Sequence, residues 1–291
     1  MRGCAFVLAL CLAAAGHPAQ AAEPAPPVVV VTLKPVHSLV AGVMEGVGSP
    51  DLLIEGAASP HDYALKPSDA RLLARADAIV AIGPGMEGFL ARPLRTLAAK
   101  ARLLELAKVE GMELPAAEGG PDLHLWLDPE NAKRAVTAVA ALLTEIDPAH
   151  SYEYARGAFR VGERLAALDR ELRATLGPVR DRPFLVYHDA FRGFAARYRL
   201  ALAGSVVAGP EHRPGARRIA ALRATIAATG ARCLFVEPQF EPSQAEALAR
   251  DTGLRLAELD DLGAAIPAGP EMYVALMRAN AASLRACLDS P

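Results

Sequence analysis

Two hydrophobic patterns alternate along most of the chain. One is a short unbroken apolar run, and the other is an apolar stripe at helical spacing. Val28–Leu33 is a continuous β-branched run, the signature of a parallel strand buried on both faces. A helix is expected from Pro35 to about Val47, and a strand over Asp51–Ile54. Ser68–Arg75 reads as helix, and Ala78–Ile82 as a strand that stops at Gly83-Pro84-Gly85. Helix and strand continue to Leu106. This alternation is the βαβ pattern of a doubly wound sheet.

Residues 107–122 are polar, contain Gly and Pro, and read as loop. Asp128-Pro129-Glu130 then starts a helix, with Asp128 as N-cap and Pro129 in the first position. A second start at Asp147-Pro148 opens a stretch with Leu165, Leu168, Leu172 and Leu176 at helical spacing and no break before Gly177-Pro178. One helix of nearly 30 residues is expected there, though Gly157 and Gly162 are poor helix formers. Strands follow over Phe184–Tyr187, Leu200–Val207, Cys233–Val236 and Leu254–Leu259. Helices alternate with them over Ala190–Tyr198, Pro214–Thr229, Ser243–Asp251 and Glu271–Cys287. The expected fold is α/β: two doubly wound lobes, each a mostly parallel sheet flanked by helices, joined by one long linking helix. The segments are a leader at 1–22, an N-terminal lobe at 23–147, the linking helix at 148–178 and a C-terminal lobe at 179–291.

The leader changes the cysteine count. Arg2 is followed by an apolar run, Ala5–Ala15, and by Ala19-Gln20-Ala21, the layout of a cleaved secretory signal. The run falls short of the about 20 residues needed to span a bilayer. Cleavage near Ala21 or Ala22 is favoured over a lipoprotein reading at Cys11, because Leu10 is bulky where a small residue is expected. The chain has four cysteines, and cleavage removes Cys4 and Cys11. In an oxidising compartment the remaining pair, Cys233 and Cys287, is expected to form a disulfide. The 291 residues are 52% apolar with net charge -2. That supports real cores and argues against a general nucleic-acid binder.

Ligands of open α/β sheets bind at the carboxyl ends of strands. Four polar residues stand at or near such ends: His61, His124, His188 and Asp260. Two come from each lobe, so lobes folded face to face would bring them into one cleft. Three neutral imidazoles and a carboxylate suit zinc. Their spacing alone does not establish a metal site, since no pair has the close repeat of a local metal motif. Glu237, in Glu237-Pro238-Gln239, also ends a strand and rivals Asp260 as the carboxylate, or serves as a hydrogen-bond partner. Asp62 and Asp189 each follow a ligand candidate and are expected to cap helices or orient an imidazole. His37 reads as a helix-face residue, His150 as solvated, His212 as a loop residue beside the cleft, and Trp126 as packing.

Taken together, the strings SPHDYALKPSDARLLARADAIVAIGPGMEGFL, DLHLWLDPENA, FLVYHDAF, AGPEHRPGARRI, CLFVEPQFEPS and LDDLG resemble those of the ZnuA-type periplasmic zinc-binding proteins of ABC importers, in the cluster A-I metal-binding receptors. The likeness runs from about residue 30 to 288. It implies metal held between lobes joined by a long helix, with ligands at His61, His124, His188 and Asp260. It also implies a disulfide at Cys233 and Cys287. Related manganese receptors carry Glu where this chain has His188, which implies zinc here. Two departures are visible. Pro60 stands where some members have a carboxylate before the first ligand, which favours Asp260 as the fourth. Residues 107–122 contain no His, whereas many members carry a long His-rich loop there.

The expected function is a periplasmic, monomeric receptor that captures one Zn2+ per chain and hands it transiently to a membrane ABC permease, with a periplasmic metal donor as a further partner. It is expected to bind rather than catalyse. The rivals are a manganese or iron receptor of the same family, an exported zinc hydrolase with an open fourth position, and a surface adhesin carrying structural zinc.

Overall fold

The structure is a computed structural model that describes residues 25–117, 120–207, 209, 214–241 and 243–290. The expected leader, with Cys4 and Cys11, lies outside the described residues, as does His212. Among the described residues no helix is long and apolar enough to cross a membrane.

The N-terminal half alternates as the hydrophobic pattern requires. It runs β1 (Val29–Val31), α1 (Lys34–Val43), β2 (Asp51–Leu52), α2 (Pro67–Arg75), β3 (Ala78–Ala81), α3 (Ala91–Thr96) and β4 (Arg102–Glu105). The strands form one parallel sheet in the order β2-β1-β3-β4. β1 and β3 are central and buried throughout, which is why they read as unbroken apolar runs. The loop expected at 107–122 holds a two-residue hairpin, β5 (Ala116–Ala117) with β6 (Gly120–Pro121).

Two helices then run in succession, α4 (Pro129–Ile146) and α5 (Ser151–Leu176). The Asp128 side chain caps α4 by accepting the amide of Glu130 at 2.8 Å. α5 is the linking helix, preceded by a short 3-10 turn at Pro148–His150. It buries Leu165, Leu168, Leu172 and Leu176 on one stripe. Gly157 has a positive reason to interrupt it: a Cβ there would collide with the carbonyl oxygen of Val43 in α1. The helix tolerates glycine so that two backbones can touch.

The C-terminal half comprises β7 (Phe184–His188), α6 (Arg192–Tyr198), β8 (Leu202–Val207), α7 (Ala216–Thr229), β9 (Cys233–Val236), α8 (Ser243–Thr252), β10 (Arg255–Glu258) and α9 (Met272–Asp289). Its sheet is also parallel, in the order β10-β9-β7-β8. The Cys233–Cys287 disulfide ties β9 to α9. α5 packs on α1, α4 and α9. One apolar cluster therefore runs without interruption from Val29 in β1, through α4 and α5, to Phe235 in β9 and Leu288 in α9.

Candidate metal centre

Each imidazole arrives by a different route. His61 lies in the loop after β2, and His124 immediately precedes a buried 3-10 turn, Leu125–Leu127, at the head of α4. His188 is the last residue of β7. The fold brings one donor atom from each within 4.8 Å of the others. Their ring centroids are 4.9 to 5.5 Å apart. The Nε2 atoms of His61 and His124 are 3.4 Å apart. Two nitrogens at about 2.0–2.1 Å from a tetrahedral zinc stand about 3.3–3.4 Å from each other. This pair is thus already at ligand spacing.

The surroundings fix one of these rings through hydrogen bonds. Asp122 Oδ1 accepts both the backbone amide of His124, at 3.0 Å, and its Nδ1–H, at 2.8 Å. That tautomer leaves the Nε2 lone pair of His124 facing His61. The other oxygen of Asp122 accepts the amide of Gly193, at the start of α6 in the opposite lobe, at 3.1 Å. One carboxylate thus aims the His124 ring and fastens the lobes together. Sequence reasoning expected Asp62 and Asp189 to cap helices or orient an imidazole and missed Asp122, whose signal was the Asp-x-His spacing. Asp62 is exposed, and Asp189 pairs with Arg192 at 2.6 Å.

His188 is 2% exposed, and neither ring nitrogen has a hydrogen-bond partner. Burial, reinforced by the neighbouring His124 and His61, holds its pKa well below the ordinary 6.5. The ring is therefore neutral, as a metal ligand must be. Glu237 lies 3.8 Å from Nδ1 of His188, and both its oxygens are buried without a hydrogen-bond partner. Burial, with Asp261 adding repulsion, pushes its pKa well above the usual carboxylate range.

Asp260 is not part of the close donor group. Its Oδ1 accepts the amides of Leu262 and Gly263 at 3.0 and 2.7 Å, and its Oδ2 accepts that of Ala264 at 2.6 Å. The backbone of Asp260 is itself clamped by the Asn280 side chain. Lys34, at the start of α1, donates to the carbonyls of Gly263, Ala264 and Ile266 at 2.7, 3.2 and 3.3 Å. Trp126 is fully buried and donates its Nε1–H to the carbonyl of Asp261 at 2.7 Å. The loop after β10 is therefore held shut against the N-terminal lobe. Gly263, with φ of 70°, sits at its tightest point, where a Cβ would strike Met272.

The remaining histidines lie apart. His37 is buried rather than merely on a helix face, and its Nε2 bonds to the carbonyl of Pro50 at 3.0 Å. His150 is half-buried rather than solvated. Its Nδ1 pairs with Asp147 at 2.7 Å, on an oxygen that also accepts the Tyr154 hydroxyl.

With this geometry in hand, the likenesses to known proteins are informative. Residues 29–287 match the family model described as zinc-uptake complex component A periplasmic. The high-affinity zinc uptake system protein ZnuA of Brucella suis biovar 1 (strain 1330) is 40% identical over 305 residues, covering 90% of this chain and 91% of that protein. A crystal structure of ZnuA superposes with a TM-score of 0.80 at 26% identity, over 90% of this chain and 99% of that one. A zinc-bound 138–173 deletion mutant of ZnuA gives a TM-score of 0.80 at 26% identity, over 91% and 99%.

Proposed function

The chain belongs to the periplasmic component A family of zinc-uptake complexes, and from that membership we propose that it is an exported receptor which captures Zn2+ between its two lobes and delivers it to a membrane ABC permease. The observation that carries this is the convergence of His61, His124 and His188 from both lobes, with two nitrogens already at tetrahedral ligand spacing. An imidazole-rich donor set favours zinc over harder ions such as manganese.

The site binds one zinc per chain, because the loop at 107–122 offers no further His. Asp260 takes the fourth position. Its Oδ2 accepts one amide and keeps a lone pair for the ion, after a shift of the turn that now holds it. A shell closed in this way leaves no open position for an activated water, so the role is binding rather than hydrolysis. The receptor acts as a monomer and meets its permease transiently.

The test is metal analysis of protein purified without added metal, with zinc titration of the wild type, His188→Ala and Asp260→Asn. One zinc per wild-type chain is expected. Loss of affinity in His188→Ala should exceed the about 10–100-fold typical of a residue that merely supports a ligand. Manganese as the co-purifying ion, or unchanged zinc affinity in His188→Ala, overturns the proposal.

A further inference from the structure

We propose that Glu237 is the positioning residue of His188: it accepts the Nδ1–H of that ring and so turns Nε2 toward the metal. This rests on the metal-site reading above and adds to it how the third imidazole is aimed.

The register of the sheet puts the two residues side by side. β7 and β9 pair in parallel, with Val186 opposite Phe235. Two residues further, the same register sets His188 beside Glu237 on the same face, since side chains alternate with period two. Both side chains are almost wholly buried, at 2% and 1% exposure. A buried carboxylate with no hydrogen-bond partner costs stability. The structure thus keeps an acceptor and a donor side by side, 3.8 Å apart at Nδ1 and Oε1, each unsatisfied.

His124 shows the arrangement in its completed form. Its Nδ1–H is held at 2.8 Å by Asp122, and its Nε2 faces His61. Outer carboxylates that fix the tautomer and tilt of a ligating histidine are the general way metal sites are supported. The pairing of Glu237 with His188 is the same device, open by about one ångström. It closes when a cation draws Nε2 inward and polarises the Nδ1–H.

The test uses the full-length chain with zinc, in the variants Glu237→Gln and Glu237→Leu. Ring 15N NMR of the zinc-loaded wild type should show His188 protonated at Nδ1 and metal-bound through Nε2. Glu237→Leu should weaken zinc binding about 10–100-fold. Glu237→Gln, whose amide oxygen still accepts, should lose less. The metal-free melting temperature of Glu237→Gln should equal or exceed that of the wild type, which separates positioning from folding. Wild-type affinity in Glu237→Leu overturns the proposal, as does metal bound through Nδ1. So does loss of an oxygen ligand from the cobalt spectrum of Glu237→Leu, because Glu237 would then bind the ion itself. If His188→Ala also keeps full zinc affinity, the site reading has failed. If His188→Ala loses zinc while Glu237→Leu keeps it, only the positioning role has failed.

Discussion

The back of the molecule and its cleft are built to opposite standards. Behind, α5 lies against α1, α4 and α9 with its leucines buried and its glycine in backbone contact. Several polar groups there are paired, with Asp147 taking both His150 and Tyr154 and Ser38 accepting the amide of Tyr273, although Nδ1 of His37 in α1 is left without a partner. In front, both nitrogens of His188, both oxygens of Glu237 and Oδ1 of Asp189 are buried without partners. A fold can hold such groups only where surplus packing elsewhere offsets their desolvation. On the proposed reading the seam supplies stability, and the cleft uses it to keep these groups unsatisfied for an ion.

If that division holds, damage to the seam should cost stability and spare zinc, and damage to the cleft should do the reverse. The largest effect on stability is expected from replacing Cys233 and Cys287 together by Ser. The bridge spans 54 residues, and the chain-entropy model assigns such a loop about 4 kcal/mol. Denaturant unfolding should show that loss while zinc affinity of the folded protein stays near wild type. Gly157→Ala comes next, at about 3 kcal/mol, because the new Cβ must push two backbones apart. A Gly157→Ala protein with wild-type stability would break the comparison at its strongest point. His188→Leu should do the opposite. The metal-free protein gains about 1 kcal/mol by losing an unsatisfied ring, as calorimetry would show, while zinc binding collapses.

The smallest effect concerns pH. Burial lowers the pKa of His37, and His188 shares that direction more strongly. A base with a depressed folded-state pKa stabilises fully above its unfolded value of about 6.5, and that contribution is lost as pH falls toward the folded value. These two histidines should therefore destabilise the metal-free protein as pH drops from 7 to 5, while the buried carboxyls Glu87 and Glu237, held above their usual range, act the other way. His37→Gln should lessen the histidines' effect, read as melting temperature against pH, without altering zinc affinity at pH 7.

Much of this was legible before any coordinates. Central strands announce themselves as apolar runs, and the Asp128-Pro129 start is a local signal that needs no tertiary context. The convergence of His61, His124 and His188 was legible from their places at or near expected strand ends, although only His188 ends a strand. What escaped was set by partners distant in sequence. Asp122 acts on Gly193 in the other lobe, and nothing at either position advertises the other. Gly157 reads as a weakness until Val43 is placed against it. What strand-end logic does not show at Asp260 is the set of three amides from its own turn that hold the carboxylate, so that it would have to reach the ion by a shift of that turn. The strand expected over Asp51–Ile54 shortens to Asp51–Leu52, because it lies at the edge, where only β1 pairs with it.

Each of the two sheets packs a smaller apolar cluster of its own, but the cluster from Val29 to Leu288 is shared by both. Melting either half should therefore open part of the core of the other. Heating the metal-free protein should give a single endotherm whose van't Hoff and calorimetric enthalpies agree. Either half expressed alone should expose that shared face and aggregate. In thermodynamic terms the expected molecule is one cooperative unit that contains a cleft.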